Sequence, residues 1–254
     1  MPGALKRIGI GIAEDPDNVI ASANTVSGPF ETICYCRPGV ADKKTTGKNV
    51  QVLECADPAQ TLVDDLISGK IEAAVRGTLP SNSTLKALKK AMGVDHLERI
   101  ALLETAQGKK FLLTPVGVDE GWTVAEKLEL IKKGRVIAKK FGLPEKTGIL
   151  SGGRLGDIGR HPQVDASMAE AELVAKRADA THCEILIEDA IETCGLIIAP
   201  DGISGNLVFR TLVFLGAGHG HGAPVVNISK IFVDSSRASS NYANALLLAA
   251  SLLE

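Results

Sequence analysis

The chain has 254 residues, of which 45% are hydrophobic, 23% are charged and 4% are aromatic. These proportions are typical of a globular protein with one large domain or two small ones. The formal net charge is −2 and Trp122 is the only tryptophan, which argues against nucleic-acid binding. No apolar run reaches the roughly 18–20 residues that a membrane span needs. We therefore expect a cytoplasmic protein that binds neither nucleic acid nor a membrane.

The cysteines and histidines give little support for a metal site. The chain has five cysteines and no secretory pattern, which favours reduced thiols. Cys34 and Cys36 share one face of a predicted strand, but no further ligands stand at a suitable spacing. His219 and His221 lie in a glycine-rich loop, where histidines usually face solvent. We predict no metal site.

Strand-like and helix-like segments alternate along the first half of the chain. Strands are predicted at 7–13, 31–36 and 50–56, followed by a helix from 57 to about 69 that Asp57 caps. A strand at 72–77 and a helix at 81–92 come next. Strands at 99–104 and 110–116 then precede a long amphipathic helix at 123–141, which Gly142 ends.

The same alternation continues to the end of the chain. A strand at 147–150 enters a glycine-rich turn, and an alanine-rich helix covers about 164–180. Strands at 184–188 and 195–199, a helix at 206–215, strands at 225–228 and 231–233, and a helix at 238–253 complete the pattern. Such alternation predicts an α/β fold with mostly parallel sheets and flanking helices.

Four turns are candidates for a ligand site, because ligands of α/β proteins bind at the carboxyl ends of parallel strands. They are Arg76-Gly77-Thr78, Ser151-Gly152-Gly153-Arg154, the turn at 200–206 and the turn at 234–240. Taken singly, each glycine or serine can serve only to turn the chain, and each arginine can lie in a surface ion pair. Together they place arginines and hydroxyl groups where an anion meets helix N-termini. The combination favours an anion-binding site.

Two other glycine-rich motifs do not support a dinucleotide site. Gly216-Ala217-Gly218-His219-Gly220 follows a predicted helix, whereas the dinucleotide motif follows a strand near the start of its domain. The glycines at 153, 156 and 159 have the wrong spacing, and no acidic residue stands on a following strand for a ribose. A metal-dependent dehydrogenase would need a cluster of aspartates at one strand end for its divalent ion, and the sequence has no such cluster.

Three segments resemble the phosphate acetyl/butyryl transferase superfamily, in the order found there. They read DLISGKIEAAVRGTLPSNSTL at 65–85, CGLIIAPDGISGNLVFRTLVFL at 194–215 and VDSSRASSNYANALLLA at 233–249. Within the superfamily the chain resembles the MtxX family of methanogens, also called methanogenesis marker protein 4, whose members are labelled methyltransferase subunits.

The resemblance implies a two-lobed fold like that of isopropylmalate dehydrogenase and the phosphotransacylases. The first lobe would comprise residues 1–106 and 236–254, and the second lobe residues 107–235. A cleft between the lobes would bind the ligand, and a homodimer would form largely through the second lobe. No permanently bound cofactor is implied, and coenzyme A is the implied co-substrate.

The resemblance also implies roles for individual residues in a transferase that acts on a small phosphorylated or acyl-thioester ligand. Ser236 and Arg237 match the Ser-Arg pair of the superfamily and would be catalytic. The implied phosphate- or ligand-binding residues are Arg76, Gly77, Thr78, Ser151, Gly152, Gly205 and Asn206. The chain departs from the acetyl branch at Ala243, which stands near the position of an aspartate there, while Asp201 and Asp234 are nearby alternatives. Two other functions stay open: a methyltransferase component of methanogenesis and a non-catalytic metabolite-binding protein.

Overall fold

The computed structural model describes residues 5–42, 44 and 46–253, and its contacts divide the chain into two units. The first unit comprises Met1–Leu97 and His221–Glu254, and the second comprises Glu98–Gly220. The resemblance implied boundaries at 106/107 and 235/236. The segment 221–235 lies in the first unit because its strand pairs in parallel with a strand of that unit.

The first unit is a mostly parallel sheet with the strand order β3-β2-β1-β4-β11-β10. Only β10 and β11 pair in the antiparallel direction among the strand pairs described for this unit. Its elements are β1 (Lys6–Gly11), α1 (Pro16–Thr25), β2 (Phe30–Cys36), β3 (Val50–Glu54), α2 (Pro58–Ser68), β4 (Ala73–Val75), α3 (Ser81–Met92), β10 (His219–Pro224, which begins at the unit boundary), β11 (Ile231–Asp234) and α8 (Ala243–Ser251).

Apolar side chains cover both faces of this sheet. On one face Tyr35, Ala74 and Phe232 pack with Leu62 and Leu66 of α2 in a single buried cluster. Side chains alternate along a strand, so the neighbouring buried residues point to the opposite face, where α8 contacts β1, β4 and β11. The C-terminal helix therefore completes the core of the first unit.

The second unit has the strand order β5-β6-β9-β7-β8, in which β5 is antiparallel to β6 and the other described pairs are parallel. In this sheet β9 lies between β6 and β7. The neighbouring parallel strands β7 and β9 are followed by different helices. Its elements are β5 (Ala101–Glu104), β6 (Lys110–Thr114), α4 (Val124–Lys140), β7 (Thr147–Ile149), a 3-10 turn (Leu155–Asp157), α5 (Pro162–Ala178), β8 (Thr181–His182), α6 (Ile187–Thr193), β9 (Leu196–Ile198) and α7 (Gly202–Phe214).

The fold class is confirmed, with a few local corrections. The strand predicted at 184–188 is wrong, because that stretch is a turn leading into α6 (Ile187–Thr193). The strand predicted at 225–228 is also wrong: β10 lies earlier, at His219–Pro224. The helix α8 begins at Ala243 rather than at 238, and α1 was not predicted. Within the part of the chain that is described, no helix is long and apolar enough to cross a membrane.

Gly77 lies at a close contact between two turns of the first unit, so a substitution there tests how these turns pack. Its φ is +62°, and a Cβ atom there would stand 2.0 Å from the Gly11 carbonyl oxygen. Gly93 has a similar φ of +68° with nothing within 4 Å of the same position. We expect Gly93→Ala to cost about 1 kcal/mol of unfolding free energy through the left-handed conformation alone. Gly77→Ala should cost at least about 3 kcal/mol, because the backbone must also move.

Urea unfolding of the two variants and the wild-type protein measures this difference. Equal losses in the two variants would show that the two turns do not pack as described.

Candidate functional site

The first group of candidate residues lies at the carboxyl ends of β1, β4 and β11, which run parallel. Three turns meet there, at 12–15, 76–79 and 234–240, and we call this region the first-unit edge. Gly77 N–H and Thr78 N–H belong to the second turn, where Thr78 donates its backbone N–H to the Gly11 carbonyl oxygen at 3.1 Å. The chain leaves β1 towards β2 on one side while β4 pairs on the other, so this is a topological switch point.

Arg76 is buried at the first-unit edge and holds two turns together. Its side chain donates from Nε to the Asp234 carboxylate, from Nη1 to the Leu79 carbonyl oxygen at 2.7 Å, and from Nη2 to the Ser235 carbonyl oxygen. The residue is only 5% exposed. All three guanidinium nitrogens therefore have partners within the protein, and little of the group faces solvent.

Ser236 and Arg237 follow this buried clamp directly and are much more accessible. The Arg237 side chain is 52% exposed, and its described ionic contact is a loose one of 3.8 Å from Nη1 to Glu14 Oε1. The Ser236 hydroxyl accepts the Ala238 N–H at 3.2 Å. The Tyr242 hydroxyl donates to the carbonyl oxygens of Ser236 and Arg237, at 3.1 Å each. This turn is fixed through its backbone, which leaves the Arg237 guanidinium free to meet a ligand.

Thr78 connects the turn after β4 with the turn after β1. Its hydroxyl oxygen accepts the N–H groups of Ala13 and Glu14, at 2.9 Å and 3.2 Å, and donates to the Glu14 carbonyl oxygen at 2.8 Å. Since the residue is 1% exposed, Thr78 acts on the backbone and not on solvent. These bonds fix the backbone at Glu14, whose carboxylate lies 3.8 Å from Nη1 of Arg237.

Tyr242 lies beneath the same turn. Burial raises the pKa of its phenol to about 12, with Arg76 acting in the opposite direction. The hydroxyl therefore stays protonated across the physiological range, and its one proton remains shared between the carbonyl oxygens of Ser236 and Arg237.

Ser151 and Gly152 lie in the second unit, after β7, in a closed hydrogen-bond network. The Ser151 hydroxyl is 2.9 Å from Nε2 of His182, whose Nδ1 is 3.1 Å from the Glu172 carboxylate. Ser151 is only 1% exposed. Gly152 donates its N–H to the Ser167 hydroxyl at 2.8 Å. Both predicted ligand-binding groups therefore already have hydrogen-bond partners within the second unit.

Gly205 and Asn206 lie in the first half of α7, where the helix packs on the end of β6. A Cβ atom on Gly205 would be 1.9 Å from the Pro115 carbonyl oxygen, so only glycine fits that contact. Asn206 donates from Nδ2 to the Val116 carbonyl oxygen at 2.9 Å. These two residues tie α7 to the chain after β6.

Glu120 organises that same segment after β6. It is 2% exposed, accepts Nε of Arg99 at 2.6 Å and accepts the Gly117 N–H at 3.2 Å. Burial raises the pKa of its carboxyl group, although the Arg99 guanidinium acts in the opposite direction. The pair holds the loop on which Trp122 stands.

The second unit contains a pocket of about 240 Å³ at the carboxyl ends of β7 and β9. We call it the second-unit pocket. One face of α5 contributes polar side chains at helical spacing, and Lys127 of α4 stands opposite, paired with Glu170. The lining residues are Trp122, Lys127, Ile149, Leu150, Gln163, Ala166, Ser167, Glu170, Ala171, Ala199, Pro200 and Asp201.

Sequence reasoning did not identify this pocket. The spacing of Gln163, Ser167 and Glu170 would place them on one helix face, which was the available signal. The position of Lys127 opposite them depends on how α4 and α5 pack, and no local pattern gives that. Of the predicted site residues, Arg76, Gly77, Thr78, Ser236 and Arg237 lie in the first unit, and Ser151, Gly152, Gly205 and Asn206 lie in the second.

The two arginines of the first-unit edge should differ sharply in their effect on stability. Arg76→Ala removes the guanidinium that faces the buried Asp234 carboxylate, and we expect a loss of about 3–5 kcal/mol in unfolding free energy. Arg237→Ala removes an exposed side chain, so its cost should stay within about 0.5 kcal/mol. Chemical unfolding of both variants measures the difference. A small loss for Arg76→Ala would contradict the clamp.

Comparison with solved structures identifies the fold. The chain matches a branched-chain phosphotransacylase from Enterococcus faecalis with a TM-score of 0.73 and 18% identity, over 98% of this chain and 100% of that one. It matches a phosphotransacetylase from Streptococcus pyogenes with a TM-score of 0.66 and 15% identity, over 98% of this chain and 94% of that one. The protein therefore has the phosphotransacylase fold.

Comparison with curated sequences identifies the family, although no family model matches the chain. A protein of Methanosarcina mazei named "Putative methyltransferase mtx subunit X" is 42% identical over 253 residues, covering 97% of this chain and 90% of its own length. A protein of the same name from Methanosarcina barkeri is 46% identical over 211 residues, covering 81% of this chain and 78% of its own length. The chain thus belongs to the family of mtx subunit X, on the phosphotransacylase fold.

Proposed function

We propose that this protein is a transferase of the phosphotransacylase type, in which Ser236 and Arg237 bind the phosphoryl group of an acyl phosphate. The observation that carries the proposal is the clamp made by Arg76. It fixes Asp234 and Ser235 directly before the pair, while the Arg237 side chain stays 52% exposed. A rigid turn that presents an available guanidinium is suited to binding a phosphate.

In the proposed reaction the thiol of coenzyme A loses its proton and the sulfur attacks the acyl carbon. The S–C bond forms and the bond between the acyl carbon and the bridging oxygen breaks. Phosphate leaves with the electron pair of that bond. Arg237 and the Ser236 hydroxyl would stabilise the negative charge on the departing phosphate. Glu14 is the candidate acceptor of the thiol proton, since its carboxylate lies 3.8 Å from Arg237. Asp234 is less suited to that role, because it is buried against Arg76.

The activity test measures acyl-coenzyme A formation and phosphate release from short-chain acyl phosphates. Removing one preorganised donor for a developing oxyanion typically lowers kcat by about 10²–10³. We expect Arg237→Ala to lose activity to that extent. Arg237→Lys should recover part of the loss, because the charge remains while the planar fork is gone.

Arg177→Ala is the matched control, since Arg177 is an exposed arginine in the last turn of α5 in the second unit. Its activity should equal that of the wild-type protein. Absence of any exchange by the wild-type protein with every short-chain acyl phosphate would refute the proposal. Tight binding of a phosphorylated ligand without turnover would instead favour the metabolite-binding alternative.

The names of the curated relatives favour methyl transfer as a second candidate function. The sequence lacks, in the usual place, the glycine loop with which many enzymes bind S-adenosylmethionine. The proposed methyl donor is therefore a methylated pterin or corrinoid held by a partner. Transfer in a purified mixture that stops when this chain is left out would support this function. Transfer that continues unchanged without the chain would argue against it.

We also propose that the protein forms a homodimer through α7. The sequence of this helix is mostly apolar, yet only Gly202 and Gly205 are buried along it. Leu207 is 61% exposed and Leu215, just after the helix, is 84% exposed. An apolar helix of this kind is usually covered by another element. A second copy is the cover that the resemblance to the phosphotransacylases implies.

Light scattering of two variants tests the dimer. Leu207→Asp puts a charge in the proposed interface and should convert the dimer into a monomer. Leu247→Asp, at a leucine that is 46% exposed on α8 in the first unit, should leave the mass unchanged. A wild-type protein that is monomeric at micromolar concentration would refute the proposed dimer.

A further inference from the structure

We propose that the second-unit pocket binds a neutral planar ring with a lactam edge, in which a carbonyl oxygen stands next to a ring N–H, as in guanine and the pterins. The inference rests on the groups that line this pocket. It goes beyond the proposed acyl transfer and does not depend on Ser236 or Arg237. The pocket lies between β7 and β9, where the chain leaves two neighbouring parallel strands in different directions, as at other ligand sites of α/β proteins.

Lys127 provides hydrogen-bond donors for an oxygen atom of the ligand. The residue is only 5% exposed, and within the described chain its ammonium group has the Glu170 carboxylate as its partner. An ammonium group carries three N–H donors, so two remain for a ligand or water. The Ser167 hydroxyl accepts the Gly152 N–H, which leaves its own proton to donate. The pocket therefore offers donors from both of its helices.

The charges of the pocket favour a neutral ligand over an anion. Glu170 already balances Lys127, and Asp201 adds a further carboxylate. Oδ1 of Asp201 accepts both the N–H and the hydroxyl group of Ser204, at 2.7 Å and 3.0 Å. The second oxygen of each carboxylate has no hydrogen bond among the described residues, and each can accept an N–H. A carbonyl oxygen next to an N–H satisfies both kinds of group without adding charge.

The remaining walls suit a flat ring. Trp122 is 51% exposed, and its indole N–H donates to the Val118 carbonyl oxygen at 3.0 Å, which fixes the ring by its edge and leaves its faces for stacking. Leu150, Ala199 and Pro200 supply apolar surface at the strand ends. A volume of about 240 Å³ lies below the roughly 300–1,000 Å³ of sites for drug-sized ligands. The pocket therefore fits a ring system, with any attached chain outside it.

Because Trp122 is the only tryptophan of the chain, ligand binding can be followed by its fluorescence. Guanosine and 6-methylpterin serve as the two lactam probes, and their relative affinities distinguish a purine source from a pterin source. Adenosine is the matched ring without the lactam, and benzoate is a flat anion. We expect saturable quenching by at least one lactam probe, and at least about tenfold weaker binding of adenosine and benzoate.

Variants test whether the named groups make the contacts. Lys127→Met should weaken binding of the lactam probe at least about tenfold, whereas Lys132→Met, at an exposed lysine of the same helix, should not change it. Ser167→Ala is the second test. It removes one hydroxyl group from the pocket, and the Gly152 N–H that it accepted can turn to water because Gly152 is exposed. It should weaken binding several-fold without changing the melting temperature.

The proposal is overturned by any of three results: no quenching by either lactam probe up to its solubility, adenosine or benzoate binding as tightly as the lactams, or unchanged affinity in Ser167→Ala. Arg237→Ala is expected to bind the lactam probe as the wild-type protein does. Loss of acyl transfer and loss of ring binding can therefore be told apart.

Discussion

The contact between Arg76 and Asp234 is the constraint on which the first-unit edge depends. It joins residues 158 positions apart in the sequence, at the ends of the neighbouring strands β4 and β11. Burying either charge alone is costly, so the two must stay together and the two turns must keep their register. Ser236 and Arg237 follow immediately. Their position is thus set by a buried residue.

In the second unit, close backbone contacts fix the positions of the segments that carry the pocket residues. A Cβ atom at Gly202 would lie 1.6 Å from the Gly117 carbonyl oxygen, so α7 starts directly against the loop after β6. Glu120 fixes that loop by accepting the Arg99 side chain at 2.6 Å. Trp122 and Asp201, two walls of the second-unit pocket, stand on these segments. The pocket is therefore shaped by backbone packing as well as by its own side chains.

Helix boundaries were predictable where local chemistry decides them, and residue roles were not. Asp57 accepts the Gln60 N–H at the start of α2 and Gly69 ends it with φ +76°, both as the sequence indicated. α1 was not predicted, although Asp15-Pro16 is the same pair as Asp57-Pro58 at the start of α2; in the structure Asp15 takes the left-handed conformation and its side chain makes no cap. Arg76 and Arg237 look alike in the sequence. Only the tertiary partners make one a buried clamp and the other an exposed group.

The Lys127–Glu170 pair bears on function because an ion pair that buries one of its charges is a weak source of stability, and here the Lys127 side chain is 7% exposed and the Glu170 side chain 35%. Removing two charges from water usually costs as much as their attraction returns, and a packed apolar pair would serve stability as well or better. Lys127 is 5% exposed, yet it borders an open cavity where two of its N–H donors have no partner among the described residues. An arrangement that is poor for packing and well placed for hydrogen bonding is the arrangement expected of a binding group. The same reasoning does not single out Arg76, because each of its three guanidinium nitrogens donates to a protein atom and none borders the pocket.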